Sequence, residues 1–216
     1  MTISDSFTWA FKDPQWPGKM LLQGLIAFIP IVGWIAMLGW LMLAIDNLRA
    51  GKTELPPAGF HLERGAAPFL ALLIYGLGLS IPGDVLIVVG VIVAAANHGS
   101  GAAGAGAGAL FALAYLLYFA AGLLLRFLTP AIILNTNRGG FGGGMDIQKV
   151  WQLSTFNVGT AVIAAMLVWV ASIIGGVGIT VCIIPALFTI PYENTITAGV
   201  VVWYEKEQTA KPAPAA

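Results

Sequence analysis

Charge is scarce in this sequence. Only 9% of its 216 residues are Asp, Glu, Lys or Arg, against roughly a quarter in soluble domains, while 58% are hydrophobic. So few charges do not cover a water-facing surface, and the chain reads as an integral membrane protein. Cysteine is nearly absent as well. The lone Cys182 excludes an internal disulfide and a cysteine metal cluster, and it reads as a small apolar helix residue. His61 and His98 are the only histidines, and no pair of His, Cys, Asp or Glu falls at metal-ligand spacing. No serine or cysteine lies in a nucleophile-elbow context. The expectation is a protein that is not an enzyme and that takes no metal or other cofactor. Formal net charge is zero, so overall charge points to neither nucleic acid nor anionic lipid as a partner. The first residues lack the basic start, short apolar core and small-residue cleavage site of a removable signal peptide, and none is expected.

Long apolar runs are what the chain has instead. They fall at about 20–45, 66–96, 105–134, 158–176 and 183–203, each near or above the ~18 to 20 residues that cross ~30 Å of hydrocarbon. Twenty-seven glycines suit helices that approach closely in lipid, and Gly104 and Gly108 show small-residue spacing. The glycine-rich stretch around them is no phosphate loop, because no Lys, Ser or Thr follows in the required register. Residues 1–19 mix Phe7, Trp9, Phe11 and Trp16 with Lys12, Asp13 and Lys19. They read as an interfacial segment, with Trp151 and Trp203 as further anchors at membrane boundaries. The connection "NTNRGGFGGGMDIQKVWQLSTFN" should be flexible, with one or two amphipathic turns at "MDIQKVWQL". Residues 205–216 read as a disordered tail.

Several apolar segments carry helix breakers. Pro30 and Gly33 interrupt the first, Pro82 and Gly83 the second, and Pro185 and Pro191 the last. Aligning residue n with n+52 pairs Gly24 with Gly76 and Pro30 with Pro82, which suggests a weak internal repeat of the kind that carries broken helices in transporters. Arg49, Lys52, Arg64, Arg138, Lys149, Lys206 and Lys211 lie in alternate connections, so those loops and the C-terminus should be cytoplasmic. Two paths fit the first segment. A single crossing places Lys12 and Lys19 outside, whereas a turn at Pro30–Gly33 returns every Lys and Arg to one side.

Ionisable groups inside hydrocarbon are costly, which makes each a candidate site. Asp84 follows the Pro82-Gly83 break, where a carboxylate would cap a helix start. Glu193 and Asn194 lie in "TIPYENTITAG", where Glu193 reads either as a proton or cation site or as a buried carboxylate, held neutral or paired with Arg126, that locks helices together. Arg126 itself reads as a snorkelling or structurally paired residue.

The opening of the chain carries an aromatic start with Lys12-Asp13-Pro14 and Trp16, then Ile29-Pro30-Ile31-Val32-Gly33, Gly39-Trp40 and Leu55-Pro56. In these features it resembles a prokaryotic membrane-protein family catalogued as domain of unknown function 4013. The likeness runs from about residue 7 to 204 and weakens after 65. "PAGFHLERG" and "NRGGFGGGMD" depart from the family's usual stretches. The resemblance implies a helical membrane protein of the prokaryotic cell (inner) membrane and adds nothing about mechanism.

The expected architecture is therefore an all-α integral membrane protein, a polytopic bundle of five or six membrane segments forming one domain over 20–204. The leading functional expectation is a non-catalytic accessory or scaffolding component, with the bilayer and other membrane subunits, or itself, as partners. The alternative is a small transporter or channel using Glu193 and Asp84.

Overall fold

The structure is a computed structural model that describes residues 1–96, 101–181 and 183–210. It is all-helical, with no strand among the described residues. The elements are α1 (Ile3–Thr8), a short tight helical turn (Trp9–Lys12), α2 (Trp16–Ala27), α3 (Val32–Arg49), α4 (Leu62–Ala96), α5 (Gly101–Met145), α6 (Ile147–Phe156), α7 (Val158–Val181) and α8 (Ile183–Ala210). Four helices are long and apolar enough to cross a membrane: Val32–Arg49, Leu62–Ala96, Gly104–Met145 and Val158–Thr180. The chain is thus a multi-pass membrane protein. The single domain read from the sequence resolves into two compact units, Met1–Ala71 with Arg126–Ala216, and Leu72–Leu125.

The first unit is organised around α8, on which α1, α2, α3 and α7 all pack. Every residue from Thr195 to Val201 is buried. Enclosure by protein accommodates the polar Glu193, Asn194, Thr195 and Thr197 of α8, which falls outside the four most apolar helices, since buried polar groups are tolerated where protein partners face them. Pro185 and Pro191 do not break it. The ring of Pro191 removes the amide that would serve the Leu187 carbonyl, and α2 lies directly on that oxygen at Gly24, where any Cβ would overlap it. Close backbone contact of this kind gives the carbonyl a weak C–H donor in place of the lost bond.

Trp9 and Trp203, expected among lipid headgroups, are both buried. The Trp9 indole donates to the Thr195 carbonyl at 2.9 Å, and the Tyr192 hydroxyl donates to the Phe7 carbonyl at 2.8 Å. A polar handle on each ring ties the N-terminal segment to α8, which outweighs the headgroup preference of an amphipathic ring. α1 starts with a reciprocal cap in which the Thr2 hydroxyl accepts the Asp5 amide and the Asp5 carboxylate accepts the Thr2 amide.

A chain reversal separates α2 from α3. Gln23 of α2 donates to the Ala36 carbonyl of α3 at 3.5 Å, although thirteen residues of straight helix would hold the two about 20 Å apart. The Val32 amide bonds the Pro30 carbonyl at 2.7 Å, and Ile31 takes φ 64°, ψ −58°. These are the dihedrals of a γ-turn, rare for any residue and costly for a β-branched one. Ile31→Gly is expected to raise stability by about 1 kcal/mol, by relieving that backbone. A melting temperature in detergent that is unchanged or lowered would show that the turn stores no strain.

The loop after α3 is pinned by the N-terminal segment. Buried Asp13 accepts the Lys19 ammonium at 2.8 Å and the Leu55 amide at 2.9 Å, and Lys19 also donates to the Leu55 carbonyl. Gln23 accepts the Gly59 amide, and the Trp40 indole donates to the Pro56 carbonyl at 3.2 Å. Residues distant in sequence thereby hold one loop in one shape. Where α3 crosses the start of α4, Gly39 faces the His61 carbonyl and Gly65 faces the Ile35 carbonyl, so two helices meet backbone to backbone.

The glycine-rich stretch 135–157, which forms the end of α5 and all of α6, is helical over most of its length, contrary to the flexible linker that its composition suggests. α5 departs from helical geometry only at Gly139 and Gly140, where Gly140 takes φ 61°. Beyond that break Gly143 and Gly144 double back onto Asn135 and Thr136. Asp146 then caps α6 by accepting the Lys149 amide at 3.0 Å. The polar residues 205–210, expected as disordered tail, continue α8. Lys211 and the rest of that tail, like Cys182 and His98, lie outside the described residues.

The second unit joins the later part of α4 to the earlier part of α5. α4 runs through Pro82 and Gly83 without interruption, so the expected break there is absent, and with it the repeat of the Pro30 turn. Three glycines seven residues apart set the packing instead. Gly76 faces Leu125 at 3.8 Å, Gly83 lies under the Tyr118 ring at 2.6 Å and Gly90 under the Phe111 ring at 2.6 Å, measured from where a Cβ would stand. Partner positions fall by seven as the glycines rise by seven, which is an antiparallel heptad seam. Ala107 and Ala114 are buried between the large residues of α5.

Candidate functional site

Three polar constellations stand out, and the sequence points directly to two. Glu193 sits one turn before Thr197 on α8 and faces α7. Its carboxylate accepts the Ser172 hydroxyl at 2.7 Å. A side chain at Gly175 would overlap it, so that glycine opens the space the carboxylate fills. Thr189, one turn earlier on α8, donates to the Gly175 carbonyl at 3.2 Å. No direct ion pair joins Glu193 to Arg126 among the described residues: Arg126 is exposed on α5 and acts on the carboxylate only as a more distant charge. Asn194 points elsewhere, donating to the Ile190 carbonyl of its own helix at 3.1 Å.

Asp84 belongs to the second unit and finds its partners there. Tyr118 donates to one carboxylate oxygen at 2.7 Å and Ser80 to the other at 2.8 Å. Because α4 is continuous, no helix begins at Asp84 and it caps none. Ser80 stands four residues earlier on the same helix, a spacing that the sequence displays. Tyr118 reaches Asp84 across Gly83, where a Cβ would overlap its ring. The heptad of Gly76, Gly83 and Gly90 was the sequence signal for that contact.

The third constellation gathers where α3, α4, α5 and α8 meet in the first unit. Arg49 donates to Glu205 at 2.7 Å and also to Asn137, while Arg138 donates to the other Glu205 oxygen at 2.6 Å. Asp46 accepts Arg64 and, at 3.2 Å, the Asn137 amide. Burial pushes the Glu205 carboxyl upward, but the two guanidinium groups outweigh it and hold its pKa below the ordinary value. Asp46 and Arg49 look in the sequence like the mere end of a segment. Their partners come from positions 64, 137, 138 and 205, a juxtaposition with no sequence signature.

Beside this network lies a cavity of about 290 Å³, lined by Met42, Glu63, Arg64, Ala67, Thr136 and Arg138 among others. Among the described residues no three of His, Cys, Asp and Glu gather closely enough to hold a metal ion. The chemistry on view is ion pairing, hydroxyl-to-carboxylate bonding and close helix contact.

No curated protein and no solved structure matches the chain. Residues 22–184, which hold the reversal at Pro30, the Gly39–Gly65 crossing, Asp84 and the α5 break, match the family described as "Protein of unknown function (DUF4013)". With most of its length covered by that match, this chain belongs to the DUF4013 family.

Proposed function

We propose that this protein is a non-catalytic component of a prokaryotic inner membrane, an accessory or scaffolding element of a larger membrane assembly, with its C-terminus in the cytoplasm. The observation that carries this reading is the use made of the carboxylates in the apolar helices. Glu193 joins α8 to α7 through Ser172, and Asp84 joins α4 to α5 through Tyr118. Each works as a polar pin between neighbouring helices, the ordinary use of hydrogen bonds in lipid.

In this reading α3, α4, α5, α7 and α8 lie in the membrane, and α2 with α3 forms a re-entrant hairpin. Twelve residues of α2 extend only about 18 Å, short of the ~30 Å hydrocarbon core. Asp13, before α2, and Lys19, in the first turn of α2, touch Leu55, after α3, which supports both ends of the hairpin lying on one side. Ile31 and Trp34 at its tip are exposed and apolar, as lipid contact requires. That arrangement returns Lys19 to the side of Arg49, Arg64 and Arg138, in keeping with the positive-inside rule.

The reading is tested by tagging the C-terminus, extracting native membranes in mild detergent and identifying co-purifying proteins by mass spectrometry. Stoichiometric capture of a fixed set of larger membrane subunits is the expected result. Isolation of the chain alone, as monomer or homo-oligomer, would count against it. The half-buried Glu193 favours a second reading, a small transporter or channel with a proton or cation site there. That reading requires Glu193→Gln to abolish a proton-coupled flux in reconstituted vesicles. Under the accessory role the variant folds, keeps its partners and retains the Ser172 bond, since an amide oxygen accepts as a carboxylate oxygen does.

A further inference from the structure

The cavity beside the charged network carries an inference independent of any accessory role. It lies where the start of α4 meets the later turns of α5 and α3, at the charged end of three membrane-length helices, which is headgroup depth for helices that cross the bilayer as proposed above. Its wall is divided chemically. Met42, Ala67 and Pro68 are apolar, Arg64 and Arg138 are cationic, and Glu63 is anionic.

The two arginines are held in place yet not exhausted. Arg64 gives one terminal nitrogen to Asp46, and Arg138 gives Nε and one terminal nitrogen to a single Glu205 oxygen. A guanidinium has five N–H donors in a planar fork suited to phosphate, so each retains donors for a second anion. Glu63 differs from the other carboxylates around it. Asp46 and Glu205 are in ion pairs, whereas Glu63 makes none among the described residues. Across the network Arg49, Arg64 and Arg138 balance Asp46, Glu205 and Glu63, so the site has no net charge to offer a simple anion. A ligand carrying both a phosphate and a cation, on an apolar stem, matches every part of the wall.

We propose that this cavity binds the headgroup of a zwitterionic aminophospholipid, its phosphodiester on Arg64 and Arg138, its ammonium on Glu63, and its glycerol end against Met42, Ala67 and Pro68.

The test uses the full chain purified in mild detergent and stripped of co-purifying lipid. Binding of phosphatidylethanolamine and of phosphatidylglycerol is read by native mass spectrometry, with inorganic phosphate as competitor. The wild-type protein is expected to bind phosphatidylethanolamine more tightly than phosphatidylglycerol. Glu63→Gln should weaken phosphatidylethanolamine by about two- to fivefold, the worth of an exposed ion pair, while tightening phosphatidylglycerol by removing a repulsive charge. That gain cannot come from misfolding. Ala67→Leu, which fills the cavity and keeps every charge, should weaken both lipids. Equal or tighter binding of phosphatidylglycerol by the wild type would overturn the proposal. So would an unchanged preference in Glu63→Gln, undiminished binding in Ala67→Leu, or displacement of lipid by inorganic phosphate at matching concentrations, which would identify a free-phosphate site.

Discussion

Gly65→Val is expected to destabilise the protein by about 3 kcal/mol or more, at the upper end of what overpacking costs. A Cβ at position 65 would overlap the Ile35 carbonyl oxygen and come within 2.8 Å of the Gly39 amide nitrogen. Both obstacles are backbone within α3, and backbone has no rotamer through which to yield. From the other side of the same crossing, a Cβ at Gly39 would meet the His61 carbonyl and stand 2.9 Å from the His61 Cβ. His61 is in turn tied to α4, since its carbonyl accepts the Arg64 and Gly65 amides at 3.2 and 3.0 Å. Any side chain at either glycine therefore separates α3 from α4. The measurement is the yield of monodisperse protein in detergent together with the midpoint of thermal unfolding. Gly106, where an added methyl would meet nothing within 4 Å, supplies the control: Gly106→Ala should be neutral or slightly stabilising through helix propensity. Equal behaviour of the two variants would mean that the close crossing contributes nothing.

The second large effect belongs to Asp13→Ala, with an expected loss of about 3 kcal/mol. The Asp13 side chain is 3% exposed and that of Lys19 is 19% exposed, so removing the carboxylate strands a largely buried ammonium. It also leaves the Leu55 and Gln15 amides, now bonded at 2.9 and 2.8 Å, without an acceptor. The Leu55 amide is the buried one of the two, and an unsatisfied buried donor is more costly than a lost bond is valuable. Burial pushes the Asp13 carboxyl upward, but the Lys19 ammonium and the two amides outweigh it, so its pKa lies below the ordinary 3.8. A depressed carboxyl contributes stability that is complete above its unfolded value and disappears as pH falls through the folded one. Wild-type protein should accordingly lose stability below about pH 4, and Asp13→Ala should lose less over the same interval. Parallel melting curves from pH 7 to pH 3 read this directly. Identical acid sensitivity in the two proteins would place the titration elsewhere.

Legibility differed from one element to the next. The apolar runs announced the four membrane-length helices, because hydrocarbon imposes the same length and composition on any helix that crosses it. Pro30 and Gly33 announced a break, and the chain does reverse between Ala27 and Val32. Pro82 and Gly83 carry the same residue types and break nothing. A proline removes one helix bond wherever it stands, and whether the helix then turns depends on what covers the freed carbonyl, which lies on another part of the chain. Trp9 had the composition of a headgroup anchor and is buried instead, because the Thr195 carbonyl was available to its indole.

The sites divide along the same line. Asp84 and Glu193 were conspicuous as charges within apolar sequence, yet their partners Tyr118 and Ser172 were not, since a hydroxyl is inexpensive in any helix and leaves no pattern. Asp46, Arg49, Arg64, Arg138 and Glu205 were each visible only as a polar residue at a segment end. What the sequence by itself determined is residence in the membrane, helical class, the positions of the long apolar helices and the short list of costly charges. All of these follow from the energy of transferring residues into hydrocarbon, which is a property of composition along the chain. The tertiary structure alone decided which proline bends the chain, which helix is enclosed by its neighbours, and which ends come together around the cavity of Arg64, Arg138 and Glu63. Those outcomes depend on contacts between residues as many as 186 positions apart, as Trp9 and Thr195 are, and no local pattern encodes them.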